Sequence, residues 1–374
     1  LKPVRAAVPV RPAHLLGLDR YEPGMPIEQV QRELGVADVI KLASNENPLG
    51  ASPKALAAVQ NALHGLARYP DGTALTLRGA LASRLQVEAG HVVIGNGSTD
   101  LIDMLTRAYL GPGDNAVIAD RAFSRFRQCA SARNGGARLV PMRAGVHDLE
   151  AMGAACDART RLLFIASPNN PTGTWNRRGE LDALLERLPE GVLVVLDEAY
   201  FEYAEAEPEY PHGIEYVRAG APVIVLRTFS KVFGLAGLRV GYGVAAPEVI
   251  DALDTIREPF NCGSLGQVAA LAALGDHEHV RASVELNRVQ KARLESGLRE
   301  LGLDVLPSLG NFLCVDTQRD GARVFQHLLE QGVIVRPLRA YDLPTSLRIS
   351  VGTGPEVDRL LAAMAQALRS TPRA

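Results

Sequence analysis

A lysine set among hydroxyls and followed by an arginine is the strongest chemical signal in this chain: Thr228-Phe-Ser230-Lys231-Val-Phe-Gly-Leu-Ala-Gly-Leu-Arg239. Hydroxyls and an arginine suit a phosphate. A lysine among them suits a carbonyl that condenses to a Schiff base. The plain alternative is a strand–loop–strand with an exposed lysine. A second segment, Asp197-Glu-Ala-Tyr200, directly follows the apolar run 192–196. An acid at the end of a buried strand is unfavourable unless a positive group faces it. A protonated ring nitrogen is such a group, and a carboxylate there lets the ring draw electrons from a substrate carbon. Tyr200, three residues on, could hydrogen-bond an oxygen of the same ring. A helix cap or a metal-binding acid would use the same residues.

Two further segments join them. Ser167-Pro-Asn-Asn170-Pro-Thr-Gly173 is a rigid Pro/Gly turn from which Asn170 could reach the ring oxygen, although a turn alone explains it as well. Gly95-Asn-Gly-Ser98-Thr99-Asp100 opens a helix with small residues and free N–H groups, the make-up of an anion site. Simple capping of that helix by Ser98 is the competing reading, and Asp100 would tune the site rather than make it. Together the four segments offer one lysine, one acid, a phosphate cup and two groups for a ring oxygen, which are the needs of a single cofactor.

These groups must be positioned, and each follows an apolar run. The runs 91–95, 116–119, 161–167, 192–197, 222–228 and 239–244 read as buried strands of a mostly parallel sheet. Ala/Leu-rich stretches at 53–66, 75–87, 99–110, 178–188 and 247–256 read as amphipathic helices. Strand–helix alternation predicts an α/β domain, its mostly parallel central sheet covered by helices on both faces. Past residue 259 the pattern becomes a long helical region at 265–301, strands at 311–316, 333–336 and 347–352, and helices at 321–331 and 355–368. That is a smaller α+β domain. The expected division is 46–258 for the large domain, with 1–45 and 259–374 forming the small one.

Composition narrows the function class. Lys+Arg 40 against Asp+Glu 42 leaves a net charge of −2, so no nucleic-acid partner is expected. Cys129, Cys156, Cys262 and Cys314 stand alone, without a C-x-x-C pair, which suits a reducing cytoplasm. His277 and His279 would not share a helix face, so no metal site is expected. No run of about 18 apolar residues is present, so no membrane span is expected, and the first residues lack the apolar core of a signal peptide.

The same residues resemble the fold type I pyridoxal-phosphate aminotransferases in the order of their motifs from Gly95 to Arg239. The flanks Lys41-Leu-Ala-Ser-Asn45-Glu-Asn-Pro48, Arg68-Tyr-Pro70 and Leu347-Arg-Ile-Ser-Val-Gly-Thr353 look like the histidinol-phosphate aminotransferase subfamily, and the resemblance covers nearly the whole chain. It implies pyridoxal phosphate as cofactor, with Lys231 holding it and shuttling the α-proton. Asp197 would face the pyridine nitrogen, Tyr200 and Asn170 the ring oxygen. Ser98, Thr99, Thr228, Ser230 and Arg239 would surround the phosphate, and Phe123 would stack on the ring. It further implies a homodimer in which Tyr69 reaches the neighbouring subunit's cofactor. Arg348 would hold the anionic end of the substrate, with Arg336, Tyr21 and Asn45 nearby. The partners would be a small-molecule amino donor and a 2-oxo acid.

The chain departs from the family pattern at Arg121-Ala-Phe123-Ser-Arg-Phe126, where Pro-Thr-Tyr-x-x-Tyr is common, so Phe123 can stack but carries no hydroxyl. Asp100 stands where Glu is common and Val232 where a small residue is common. Three other readings share the scaffold: an aminotransferase for aromatic amino acids, a phosphothreonine-type decarboxylase, and a ligand-binding relative without catalysis. Lys231, Asp197 and Arg239 together argue against the last.

Overall fold

The computed structural model describes residues 10, 12–16, 18, 24–133 and 135–373. Its frame is a seven-stranded sheet. The spatial order is Val92–Gly95, Gly241–Val244, Val223–Thr228, Leu193–Asp197, Thr160–Ala166, Asn115–Ala119 and Gly136–Val140. All pairs are parallel except those made by Gly241–Val244, which runs against both neighbours. The six expected strands are present because each is buried on both faces, as β-branched and apolar runs require. Gly136–Val140 was not expected. It lies at the sheet edge, is partly exposed and reads Gly-Ala-Arg-Leu-Val, so it carries no continuous apolar run.

The topology places the motifs. Gly95, Ala166, Asp197 and Thr228 end strands that point the same way, so the segments after them emerge along one edge of the sheet. The reversed strand starts there, since Gly241 pairs with both Gly95 and Thr228. Arg239, two residues earlier, therefore arrives at the same edge. Ligands of open α/β sheets bind at this edge, outside the carboxyl ends of the strands.

A second sheet is antiparallel, ordered Arg336–Pro337, Ser346–Ser350, Phe312–Asp316 and Asp304–Val305. The strand expected at 333–336 is split: Val333–Ile334 pairs with Ile40–Lys41, and Arg336–Pro337 joins the four-stranded sheet. The ladder ties the N-terminal segment to the small unit, where Leu42 joins a core with Leu294, Leu298, Leu313 and Ile349.

The expected division at 258/259 is too early. Helix Ser264–Leu274 contributes Ala269, Ala270 and Ala273 to the core of the large unit. The helical region expected at 265–301 is two helices, interrupted at Gly275, with Asp276 capping His277–Glu300. Along this second helix Val280 and Val284 pack on the large core, whereas Leu294 and Leu298 lie in the small one. The chain passes from one unit to the other along that helix. The alanine-rich helix gives no sign in its own sequence of which core it joins.

Candidate active site

Thirteen of the expected site residues line one cleft of about 480 Å³: Asn45, Ser98, Thr99, Phe123, Asn170, Asp197, Tyr200, Thr228, Ser230, Lys231, Arg239, Arg336 and Arg348. Tyr69 does not. It is 82% exposed and stacks on Phe260 with ring centroids 4.7 Å apart. Tyr21 lies outside the described residues.

Lys231 is half-buried at the end of the turn after Val223–Thr228. Its Nζ donates to the Ser44 carbonyl at 3.3 Å and stands 5.5 Å from the centre of the Tyr200 ring. Burial, reinforced by the Arg348 and Arg239 charges, lowers its amine to about 7. A lysine in that state is available as a free amine near neutral pH.

Asp197 is 6% exposed, and burial pushes its carboxyl up to about 7. One oxygen accepts from the Ala199 N–H at 3.1 Å. Glu198 beside it raises it further, and Lys231 offsets only part of this. Glu198 is itself taken by Arg227, through Nη2 at 2.8 Å and Nε at 2.9 Å. Asp197 is therefore an acid short of a cation at the end of a buried strand.

The cup is built from backbone and short side chains. Helix Ser98–Tyr109 starts after Gly97 with no side-chain cap, so Ser98 is its first residue and not its cap. Its first N–H groups remain available to an anion. Asp100 is directed to the Asn96 N–H and to Asn261 Nδ2, at 2.8 and 2.9 Å, and so holds the loop together. Arg239 donates through Nη1 to Ser230 Oγ at 3.2 Å, and the Ser230 N–H donates to Thr228 Oγ1 at 3.1 Å. A Cβ on Gly97, which has φ +79°, would lie 2.3 Å from Arg239 Nη2, so the arginine packs where only glycine fits. Arg239 itself sits at φ +53°, a conformation costing a non-glycine residue about 1 kcal/mol.

The opposite wall comes from the small unit and the N-terminal segment. The Tyr200 hydroxyl accepts from Asn45 Nδ2 at 2.9 Å, and Asn45 Oδ1 accepts from Ser350 Oγ at 2.9 Å. Burial raises the Tyr200 phenol to about 12, so it keeps its proton. Arg348, 8% exposed, donates through Nη1 to Asn170 Oδ1 at 2.5 Å and through Nη2 to the Ala43 carbonyl. Arg336 is its cross-strand partner, so both side chains leave the same face of the small sheet. Arg125, Tyr341, Ser44 and Glu46 also line the cleft and were not expected there. Ser44 and Glu46 lie inside the flank Lys41–Pro48 and Arg125 inside the segment around Phe123, both already singled out in the sequence.

A larger groove of about 970 Å³, lined by Arg143, His147, Trp175 and Arg177, holds no lysine, and these two arginines are paired with Asp148 and Glu209. Among the described residues no group of three or more His, Cys, Asp or Glu is placed to hold a metal ion, and no helix is long and apolar enough to cross a membrane.

Comparison with known proteins agrees with this geometry. A family model described as aminotransferase class I and II matches residues 37–364. Histidinol-phosphate aminotransferase 2 of Pseudomonas fluorescens is 50% identical over 353 residues, covering 94% of this chain and 95% of the relative. The histidinol-phosphate aminotransferase of Moorella thermoacetica is 50% identical over 364 residues, covering 97% and 94%. The crystal structure of histidinol-phosphate aminotransferase from Sinorhizobium meliloti in complex with pyridoxal-5'-phosphate superposes with a TM-score of 0.87 at 29% identity, covering 98% of this chain and 99% of that one.

Proposed function

This chain belongs to the aminotransferase class I and II family, and from that premise we propose that it moves the amino group of histidinol phosphate onto 2-oxoglutarate with pyridoxal phosphate held at Lys231. The observation that carries the cofactor is the meeting, in one cleft, of a half-buried lysine, a buried acid short of a cation, and an arginine–hydroxyl–amide cup. When bound, pyridoxal phosphate supplies an aldehyde to an amine and a protonated ring that accepts electron density from the substrate's α-carbon.

The residues present fit that group. The cup of Ser98, Thr99, Thr228, Ser230 and Arg239 suits a phosphate. Asp197 needs a cation, and a ring N–H⁺ is one. The Tyr200 oxygen accepts from Asn45, which leaves its own proton to donate. Asn170 Oδ1 is engaged by Arg348, which leaves its Nδ2 to donate. Both donors therefore suit a phenolate oxygen. Phe123 offers an aromatic face without a hydroxyl. With the cofactor bound, Lys231 would be the residue that holds it and, as a free amine, the base that takes the proton from the substrate's α-carbon. The four unpaired cysteines fit a cytoplasmic setting for this reaction.

The substrate follows from the arginines. Histidinol phosphate carries a phosphate and no carboxylate, whereas glutamate carries two carboxylates. A guanidinium fork pairs with either anion. Arg348, fixed by Asn170 and the Ala43 carbonyl, serves both substrates, and Arg336 beside it serves the phosphate. Arg348→Ala should lower the specificity constant for both substrates by about tenfold to a hundredfold, and Arg336→Ala should affect histidinol phosphate more than glutamate. The two half-reactions, timed separately in each variant, check this. Equal losses for both substrates in Arg336→Ala would instead favour a carboxylate donor such as an aromatic amino acid.

The site is completed across a two-fold homodimer, with Tyr69 reaching the neighbouring subunit's cofactor phosphate. Supporting this are the exposure of Tyr69 away from its own cleft and the exposed Leu56, Leu63, Leu66, Leu75 and Phe260 along and beside the same segment. Co-expression of Tyr69→Ala and Lys231→Ala chains should restore activity that neither variant has alone, because a mixed dimer contains one complete site. A fully active monomer would refute the arrangement.

A further inference from the structure

The described walls of the cleft carry five cations, Arg125, Lys231, Arg239, Arg336 and Arg348, and two acids, Glu46 and Asp197. Glu46 is paired with Lys41 at 3.0 Å. Four of the cations have a part in the reading above, and Arg125 has none.

Arg125 is the second residue of helix Ser124–Ala132, whose N-cap Phe123 has no side-chain oxygen and whose first turn holds no acid. A guanidinium at that end of a helix meets free N–H groups and the positive pole of the helix dipole. Its Nη1 donates to the neutral Gln128 Oε1 at 3.1 Å. Among the described residues its buried Nε has no hydrogen-bond partner, and no carboxylate pairs with it. The cleft thus holds an arginine that no carboxylate pairs with among the described residues.

Its location is also informative. Tyr341 lines the same cleft, with its hydroxyl 3.5 Å from Ser124 Oγ. It follows Arg336 by only a short segment containing one turn of 3-10 helix, Arg339–Tyr341. The start of the Ser124–Ala132 helix and the Arg336 segment therefore meet on one stretch of wall. A phosphate monoester carries nearly two negative charges near neutral pH and three acceptor oxygens. It would relieve the repulsion at Arg125 and accept from the Tyr341 hydroxyl.

We infer that Arg125 and Tyr341 join Arg336 to form the phosphate end of the substrate site, and that Arg125 sets the preference for a phosphate-bearing donor. This rests on the histidinol phosphate reading above. Arg125 acts on binding of the distal group, remote from the bonds that change, so KM carries its effect and kcat does not.

The test uses the cofactor-loaded enzyme and the variants Arg125→Gln and Arg125→Lys. In Arg125→Gln, KM for histidinol phosphate should rise about tenfold to a hundredfold with kcat held within about twofold, while KM for glutamate changes by less than about threefold. Arg125→Lys, which keeps the charge and loses the planar fork, should fall between. Inorganic phosphate, as a competitive inhibitor in the glutamate half-reaction, probes the anion site independently of the donor, and its inhibition constant should rise in parallel. An inhibition constant unchanged in Arg125→Gln, or equal KM losses for the two substrates, would overturn the role of Arg125. A wild-type enzyme that ignores histidinol phosphate, yet loses phosphate inhibition in Arg125→Gln, would overturn the substrate reading and leave the anion site standing.

Discussion

Replacing Lys231 by alanine should lower amino transfer by at least about 10⁴-fold, since both the nucleophile that captures the cofactor and the base that moves the α-proton are lost. Among the described residues Lys231 is the only lysine that lines the cleft, so no neighbour can take over. The variant should also lack the visible absorbance that the wild type gains on addition of pyridoxal phosphate. Its fold should survive, because the amine makes one long hydrogen bond, to Ser44. In the wild type the burial that lowers the amine to about 7 keeps a large share of it unprotonated at neutral pH. Capture of the cofactor should accordingly fade as pH drops below about 7. Turnover and absorbance measured on the same purified variant check the assignment, and substantial turnover without an added amine would refute it.

Asp197→Asn should slow proton abstraction by about a hundredfold to a thousandfold while leaving much of the cofactor affinity, which the phosphate cup supplies. An amide is uncharged and cannot hold a proton on the ring nitrogen. The same substitution should act in the opposite direction on stability without the cofactor. The folded chain raises this carboxyl from 3.8 to about 7 by burial. Between those values the folded state binds the proton more tightly than the unfolded state, so the wild type loses stability as pH rises through that window. Cofactor-free Asp197→Asn should therefore lose less stability than the wild type between pH 4 and pH 8. Near-normal turnover would assign the ring nitrogen to another group, and an unaltered pH dependence of Tm would show that Asp197 does not carry the raised carboxyl.

The parts of the site that were legible in the sequence are those carried by chemistry at the end of a strand. Lys231, Asp197, Asn170 and Ser98 each follow an apolar run, and strand polarity brings such positions to one edge. What could not be read depends on contacts between distant segments. Asn45 orients Tyr200 and is itself held by Ser350, 305 residues away in the chain, and no local pattern announces that pairing. The fixing of Arg348 by Asn170 and Ala43 is of the same kind. Ser98 shows why a capping alternative was reasonable and how it fails, because the turn places it one position past the cap. The edge strand Gly136–Val140 escaped because half-exposed strands need no apolar run. The passage between units was placed too early because the small residues of Ser264–Leu274 pack on Pro53–Ala62, a contact fixed only by the tertiary fold.

That the donor is histidinol phosphate is the claim on which the roles of Arg336, Arg348 and Arg125 depend. The most direct measurement is amino transfer to 2-oxoglutarate by the purified, cofactor-loaded protein, with histidinol phosphate, phenylalanine, tyrosine and phosphothreonine compared side by side. The phosphate contacts argued here give histidinol phosphate a kcat/KM at least about tenfold above each of the others. A higher kcat/KM for phenylalanine or tyrosine, or release of carbon dioxide from phosphothreonine in place of amino transfer, would contradict it.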